Sequence, residues 1–272
     1  MTLLTEPTRI VLAKGWDLSG FDADAAAYIQ RVEWADTTPL EAATRTAINS
    51  FVVGCKADGI WTAIKASCIL AGARTLSGAL MPLTGTAPTN VGGLFVSGDY
   101  NRKTGLVGDG STKYLNSNYL ANNLSAGNAS QSVYYSVPHA GGLSVQIGVR
   151  VTSPLNASQV ANTSIDLWVV QTQNNNPEVF YGNRNVATFV GGSRLGTTQE
   201  LRRMNGASYI DLSTAINPPA LNYFVFASNT NGSAANFTNA RLAFYSIGES
   251  LNLALLDARV TDLINAFAAA IP

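Results

Sequence analysis

The chain has 272 residues, with seventeen Lys and Arg balancing seventeen Asp and Glu, so its formal net charge is zero. Charged residues make up 12% and hydrophobic residues 46%, against about 25% charged in an ordinary soluble domain. This excludes a nucleic-acid binder held by counterion release, which needs clustered Lys and Arg, and a disordered tail, which is apolar-poor and highly charged.

Residues 1–20 read as an extended arm with one apolar patch, Ile10, Val11 and Leu12, and with Trp16 close behind. These four are the expected docking residues, seated on a neighbouring subunit. The stretch 1–12 lacks a basic region followed by a long apolar run, so no signal peptide is expected. No apolar run approaches the roughly 18–20 residues that span a bilayer, so no membrane insertion is expected either.

Residues 21–83 form an expected helical docking region. Residues 22–32 suit a short helix through Ala25, Ala26, Ala27, Tyr28 and Ile29. Thr38, Pro39 and Glu41 then read as a capping box with Pro at the first helical position. Leu40, Ala43, Ala47, Ile48, Phe51 and Cys55 recur at three- and four-residue steps, one helix face, and Asp58-Gly59 ends it. Ile60, Trp61 and Ile64 suggest another short helix. Cys55 and Cys68 have no CxxC neighbour and no nearby His, and read as small buried hydrophobes.

After Pro82 the pattern changes. Residues 84–93 are a Gly/Thr/Pro/Asn connector, and 84–250 form the expected β-sandwich. Short β-branched and aromatic runs cover 132–137, 144–151, 165–170, 187–190, 209–212, 221–227 and 241–247, separated by Asn, Ser and Gly. Asp109-Gly110, Asn205-Gly206 and Asn231-Gly232 are turn signals of hairpin type. Residues 251–272 return to helix: Leu251, Leu253, Leu255, Leu256, Val260, Leu263, Ile264 and Phe267 largely mark a core-facing stripe that docks on the sandwich or the first helices. The expected class is mainly β, an antiparallel jelly-roll sandwich with an N-terminal helical region and a C-terminal helix.

Three stretches taken in order carry a resemblance: AINSFVVGCKADGIWTAIKASCIL (47–70), GLVGDGSTKYLNSNYLANN (105–123) and RLAFYSIGESLNLALLDARVTDLINAF (241–267). Gly108-Asp109-Gly110 leads to an aromatic strand at Tyr114, and 243–248 is a late strand followed by a helical tail. ELRRMNGASYI (200–210) is similar to an Arg-Asn-Gly-Ser hairpin with a Met interposed. Together these resemble phage and prophage virion proteins with a concanavalin A-like (LamG-like, lectin/glucanase) sandwich, over roughly residues 40–270. The resemblance implies a virion location after synthesis in the host cytoplasm. It also implies contacts with other virion proteins and a symmetric homo-oligomer such as a trimer.

The residues themselves point away from catalysis. The single histidine, His139, sits in a Gly-rich turn that reads as an exposed loop, and no Gly-x-Ser-x-Gly elbow accompanies it. Retaining glycan hydrolysis needs two carboxylates about 5–5.5 Å apart. Glu178, Glu200 and Glu249, and Asp99, Asp109, Asp166 and Asp211, all read as isolated. Asp99, Asn101 and Asp109 have calcium-ligand types but read as turn formers. No metal or other cofactor is expected. Sugar binding would rest on an exposed aromatic beside amides: Tyr181 with Asn183 and Asn185, or Tyr223 with Asn222. The four Trp residues, Trp16, Trp34, Trp61 and Trp168, have a packing distribution. The expected function is therefore a non-enzymatic bacteriophage structural protein, a capsid decoration (cement) subunit or a tail or fibre component. A lectin-like module binding a host-surface glycan is the alternative, and a polysaccharide hydrolase a second one.

Overall fold

The computed structural model describes residues 18–162, 167–175, 179–181 and 187–272. Ile10, Val11, Leu12, Trp16, Asn183 and Asn185 lie outside them. The helices are α1 (Ala23–Asp36), α2 (Ala42–Ala57), the one-turn α3 (Leu76–Ala79) and α4 (Leu253–Ala270). The strands begin with β1 (Ile64–Ile69), β2 (Thr89–Asn90), β3 (Tyr100–Asn101), β4 (Gly105–Val107), β5 (Leu115–Leu120) and β6 (Ser130–Val137). They continue with β7 (Ser144–Thr152), β8 (Leu155–Asn162), β9 (Leu167–Asn174), β10 (Val179–Tyr181), β11 (Thr188–Arg194) and β12 (Gln199–Met204). The last are β13 (Ala207–Leu212), β14 (Asn222–Val225), β15 (Ser228–Thr230), β16 (Ser233–Ala235) and β17 (Arg241–Gly248).

Two antiparallel-rich sheets form the sandwich. One runs β13-β12-β11-β6-β17-β4-β3, and β1 joins it along β17 from Ile69 opposite Phe244 to Ile64 opposite Gly248. The other runs β10-β9-β8-β7-β14-β5-β2, and β15 lies parallel to β7. Val133, Tyr135, Val190, Leu242 and Tyr245 of the first sheet meet Ile147, Val149, Val160, Val170 and Val225 of the second in one buried core.

The first sheet is buried on its other face too. Tyr134, Phe189 and Phe244 point into a second core with Phe51 of α2 and Leu256, Val260, Leu263 and Phe267 of α4. Phe51 meets Phe244 edge-on at 5.9 Å. The molecule is thus three layers, with helices on one face of a two-sheet sandwich. A strand buried on both faces loses its polar alternation, which is why β6 and β11 read as near-continuous buried runs.

Several local expectations change. The Thr38 capping box does not form: α2 starts at Ala42, with Glu41 at the N-cap and no side-chain cap. The buried Glu33 of α1 explains this. Its carboxylate accepts from the Leu40 N–H at 2.8 Å and from Arg45 Nε at 2.6 Å. Glu41 instead accepts from Arg102 at 2.7 Å. The helix expected at Ile60–Ile64 is only a single turn at Trp61–Ala63, and the chain then enters β1, so the 21–83 helical region contributes a strand to the sandwich. Trp34, expected to pack, is 79% exposed. The C-terminal helix forms as expected, capped by the Asn252 side chain, and rests on both α2 and the first sheet.

Asp109-Gly110 makes a loop around a side chain and not a hairpin. Burial alone would raise the Asp109 pKa, but N–H groups of Lys113, Thr112 and Ser111 and the Thr112 hydroxyl hold it well below the usual carboxylate range. Asn205-Gly206 and Asn231-Gly232 do turn hairpins, each with both residues at positive φ.

Candidate functional site

The site lies at one end of the sandwich, where β9, the β11–β12 turn and the end of β13 converge. Its foundation is a set of polar side chains buried between the sheets. On β12 the residues alternate: Leu201 packs toward the helices and Arg203 reaches Asp257 of α4 at 2.8 Å. Glu200, Arg202 and Met204 are buried in register on the other face, and Met204 is part of the inter-sheet core.

The Asn205-Gly206 turn sets the register of β12 and β13 and places Glu200 opposite Asp211. Arg202 binds both: its Nη2 is 3.3 Å from Glu200 Oε2 and its Nη1 2.9 Å from Asp211 Oδ2. The two acids expected to be isolated are therefore cross-strand partners around one guanidinium. Glu200 has no exposed surface, and Asn174 Nδ2 donates to its Oε2 at 3.2 Å. Burial raises the Glu200 pKa, and the Arg202 charge opposes that.

Arg194, at the end of β11, is the second buried guanidinium. It donates to Ser213 Oγ at 2.9 Å and Ser213 O at 2.6 Å, to Thr172 O at 3.3 Å and to Thr197 O at 3.2 Å. One side chain thereby ties β9, the β11–β12 turn and the segment after β13 together. Burial lowers its pKa and Glu200 acts against that. Gly192 makes room for this layer, because a Cβ there would overlap Thr172 Oγ1, which accepts from Gln131 Nε2 at 3.0 Å.

Above this network is a depression of about 540 Å³ lined by Asn174, Asn175, Thr198, Leu212, Ser213 and Thr214. Its wall is amides and hydroxyls plus one apolar side chain, Leu212, which is 79% exposed. Two wall residues connect to the layer below: Asn174 through Glu200 and Ser213 through Arg194. The Ser213 oxygen accepts from Arg194, so its own proton is left to donate. Neither Glu200 nor Asp211 lines the depression.

The glycan-binding residues expected from sequence do not assemble here. Tyr223 of β14 is fully buried in the inter-sheet core, where burial pushes its hydroxyl well above the usual value. It presents no face to a sugar; the alternation of β14 turns Tyr223 and Val225 inward and Phe224 outward, against Tyr114. Tyr181 ends β10 opposite Leu167 of β9, whereas Asn174 is at the far end of β9.

His139, expected to be exposed, is 9% exposed, and its Nδ1 accepts from the Asn239 N–H at 3.1 Å. Asp99 pairs with Lys113 at 2.7 Å, and Asn101 caps the N–H groups of Lys103 and Thr104. Among the described residues no group of three or more His, Cys, Asp or Glu is placed to hold a metal ion.

No protein-family model matches the chain, and no curated protein matches it. Similar solved structures are sialidases and a sialidase module. The Trypanosoma rangeli sialidase in complex with sialic acid aligns over 75% of this chain and 34% of its own, at 8% identity and a TM-score of 0.51. The NanB sialidase from Streptococcus pneumoniae aligns over 49% of this chain and 24% of its own, at 11% identity and a TM-score of 0.39. The CBM40 of Ruminococcus gnavus IT-sialidase aligns over 55% of this chain and 84% of its own, at 10% identity and a TM-score of 0.37. The chain spans about a quarter of the NanB sialidase and about a third of the T. rangeli enzyme. At 8% identity the T. rangeli likeness shows the β-sandwich fold alone.

Proposed function

We propose that this protein is a non-catalytic, lectin-like module whose sandwich end binds a neutral saccharide. The observation that carries this reading is the depression beside β13. Its wall offers the Ser213 hydroxyl, polarised by the buried Arg194, with Thr198, Thr214 and Asn175 around it and the exposed Leu212 for a sugar's C–H face. Neutral donors and acceptors match hydroxyl-rich ligands without the desolvation cost of an ion. The two carboxylates nearby are committed to Arg202, which supports binding over bond cleavage.

The test is a glycan array followed by titration calorimetry. Ser213→Ala removes one hydrogen bond to the ligand, about 1 kcal/mol, so the hit weakens roughly fivefold. An array without any binder ends the proposal.

A second reading, a structural subunit of a phage particle, is favoured by the ordered sequence resemblance and by Trp34, Ile210 and Leu212, each more than 60% exposed. Its test is the protein inventory of purified particles; absence of this chain removes the reading.

A further inference from the structure

The two Asn-Gly hairpin turns share a backbone conformation and differ in what holds them. Asn205 and Gly206 have φ of +49° and +73°, Asn231 and Gly232 of +52° and +92°. All four residues are exposed. At the β15–β16 turn the asparagine is tied down. The Thr152 N–H donates to Asn231 Oδ1 at 3.1 Å, Asn231 Nδ2 donates to Thr152 Oγ1 at 2.8 Å, and the Asn231 N–H donates to the Arg150 carbonyl at 2.9 Å. The Gly232 N–H donates to Asn229 Oδ1 at 3.0 Å. The β12–β13 turn has no counterpart of these bonds: among the described residues, neither the Asn205 side chain nor the Gly206 N–H makes a hydrogen bond.

The difference bears on a reaction that an Asn-Gly pair carries within itself. The glycine backbone nitrogen, unshielded by a side chain, attacks Cγ of the asparagine. A C–N bond forms, the bond from Cγ to the amide nitrogen breaks, and that nitrogen leaves as ammonia, taking up the proton lost from the glycine N–H. The resulting succinimide ring adds water at either carbonyl, giving aspartate or isoaspartate, with no change of oxidation state. The attack requires the side-chain amide to swing over the glycine nitrogen and that nitrogen to lose its proton. Exposed loop tips open at little free-energy cost, and no hydrogen bond opposes either event at residues 205–206. At residues 231–232 three bonds must open first, two to Thr152 and one to Asn229. Each holds its partners by about a factor of five, so together they slow the step roughly a hundredfold.

We propose that Asn205 is a site of spontaneous deamidation and that Asn231, in the same dipeptide, is protected by Thr152 and Asn229. Each event adds one negative charge to a chain whose formal charge is zero. Isoaspartate also diverts the main chain through the side chain, lengthening a two-residue loop that sets Glu200 opposite Asp211. Ageing at this tip therefore acts on the strand pairing beneath it.

The test incubates the full chain in mildly alkaline buffer and maps both sites by the mass of their chymotryptic peptides, following charge by isoelectric focusing. The expected result is an acidic isoform with aspartate or isoaspartate at position 205, formed roughly a hundredfold faster than conversion at position 231. In the urea-unfolded chain the two sites convert at similar rates, because only the fold distinguishes them. Thr152→Ala, at an exposed position, frees the Asn231 amide and speeds conversion there severalfold while position 205 is unaffected. Asn205→Gln, which would have to close a larger and less favourable ring, removes the acidic isoform. Conversion of Asn231 as fast as Asn205 in the folded chain overturns the proposal. So does an Asn205 that stays intact over the time in which the urea-unfolded chain converts.

Discussion

Replacing Arg202 by Met is the sharpest probe of the buried network. The guanidinium is fully buried between Glu200, at 3.3 Å, and Asp211, at 2.9 Å. Removing one member of a buried pair leaves the other charge uncompensated and costs about 3–5 kcal/mol. Asp211 keeps 21% of its side chain exposed and can hydrate; Glu200 cannot. The penalty therefore falls on Glu200, and in a domain of this size it lowers Tm by roughly 6–20 °C. The nearby change Glu200→Gln supplies the control: the double variant Arg202→Met with Glu200→Gln recovers most of the loss, because no uncompensated buried carboxylate remains. The effect also depends on pH. Burial places the folded-state pKa of Glu200 above its unfolded value, so the proton is bound more tightly in the fold. The stability this carries is present below the usual carboxylate range and is lost as pH rises through the folded pKa. Without Arg202 that pKa climbs further, at about 1.4 kcal/mol per unit. The variant's deficit is thus larger near pH 8 than near pH 5. Urea unfolding of wild type, single and double variants at both pH values is the assay. A deficit independent of pH, or a double variant no more stable than the single, refutes the reasoning.

Other consequences are simpler to read. Gly105→Ala destabilises by about 2–4 kcal/mol, because residue 105 has φ +96° and a Cβ there would overlap the Leu242 carbonyl of β17; thermal unfolding checks it. Phe51→Ala opens the seam between α2 and the first sheet and costs about 3–5 kcal/mol, measured by denaturant midpoint. Burial pushes the thiols of Cys55 and Cys68 up to about 12, so neither reacts with an aromatic disulfide reagent near pH 8 in the folded protein. Both react after unfolding; rapid labelling of the native chain contradicts this. Asp36→Ala costs about 1–3 kcal/mol, since its carboxylate accepts from the N–H groups of Arg74 and Thr75 and from the Thr75 hydroxyl; hydrogen exchange at α3 reports it first.

Much of the site was within reach of the sequence, but only through the turn. A two-residue loop at Asn205-Gly206 pairs residues equidistant from it, so 200 faces 211 and 202 faces 209. Glu200 and Asp211 look like lone acids only while distance along the chain stands for distance in space. Tyr223 was misplaced for a different reason. An alternating strand says which residues share a face, but not whether that face meets the other sheet or solvent.

Local chemistry alone determined the elements that need no partner: the period of α2 and α4, the stop at Asp58-Gly59, and the hairpins at Asn205-Gly206 and Asn231-Gly232. These depend on side-chain spacing and on backbone angles that few residues adopt. Tertiary structure decided the rest. Residues 64–69 become a strand because β17 offers an edge, Glu33 rather than Thr38 satisfies the entry to α2, and Arg194 is tolerated in the interior because carbonyls of β9 and of the segment after β13 meet it there. A charge is affordable inside a protein only where its partners converge, and that convergence is a property of the folded chain and not of any window of sequence.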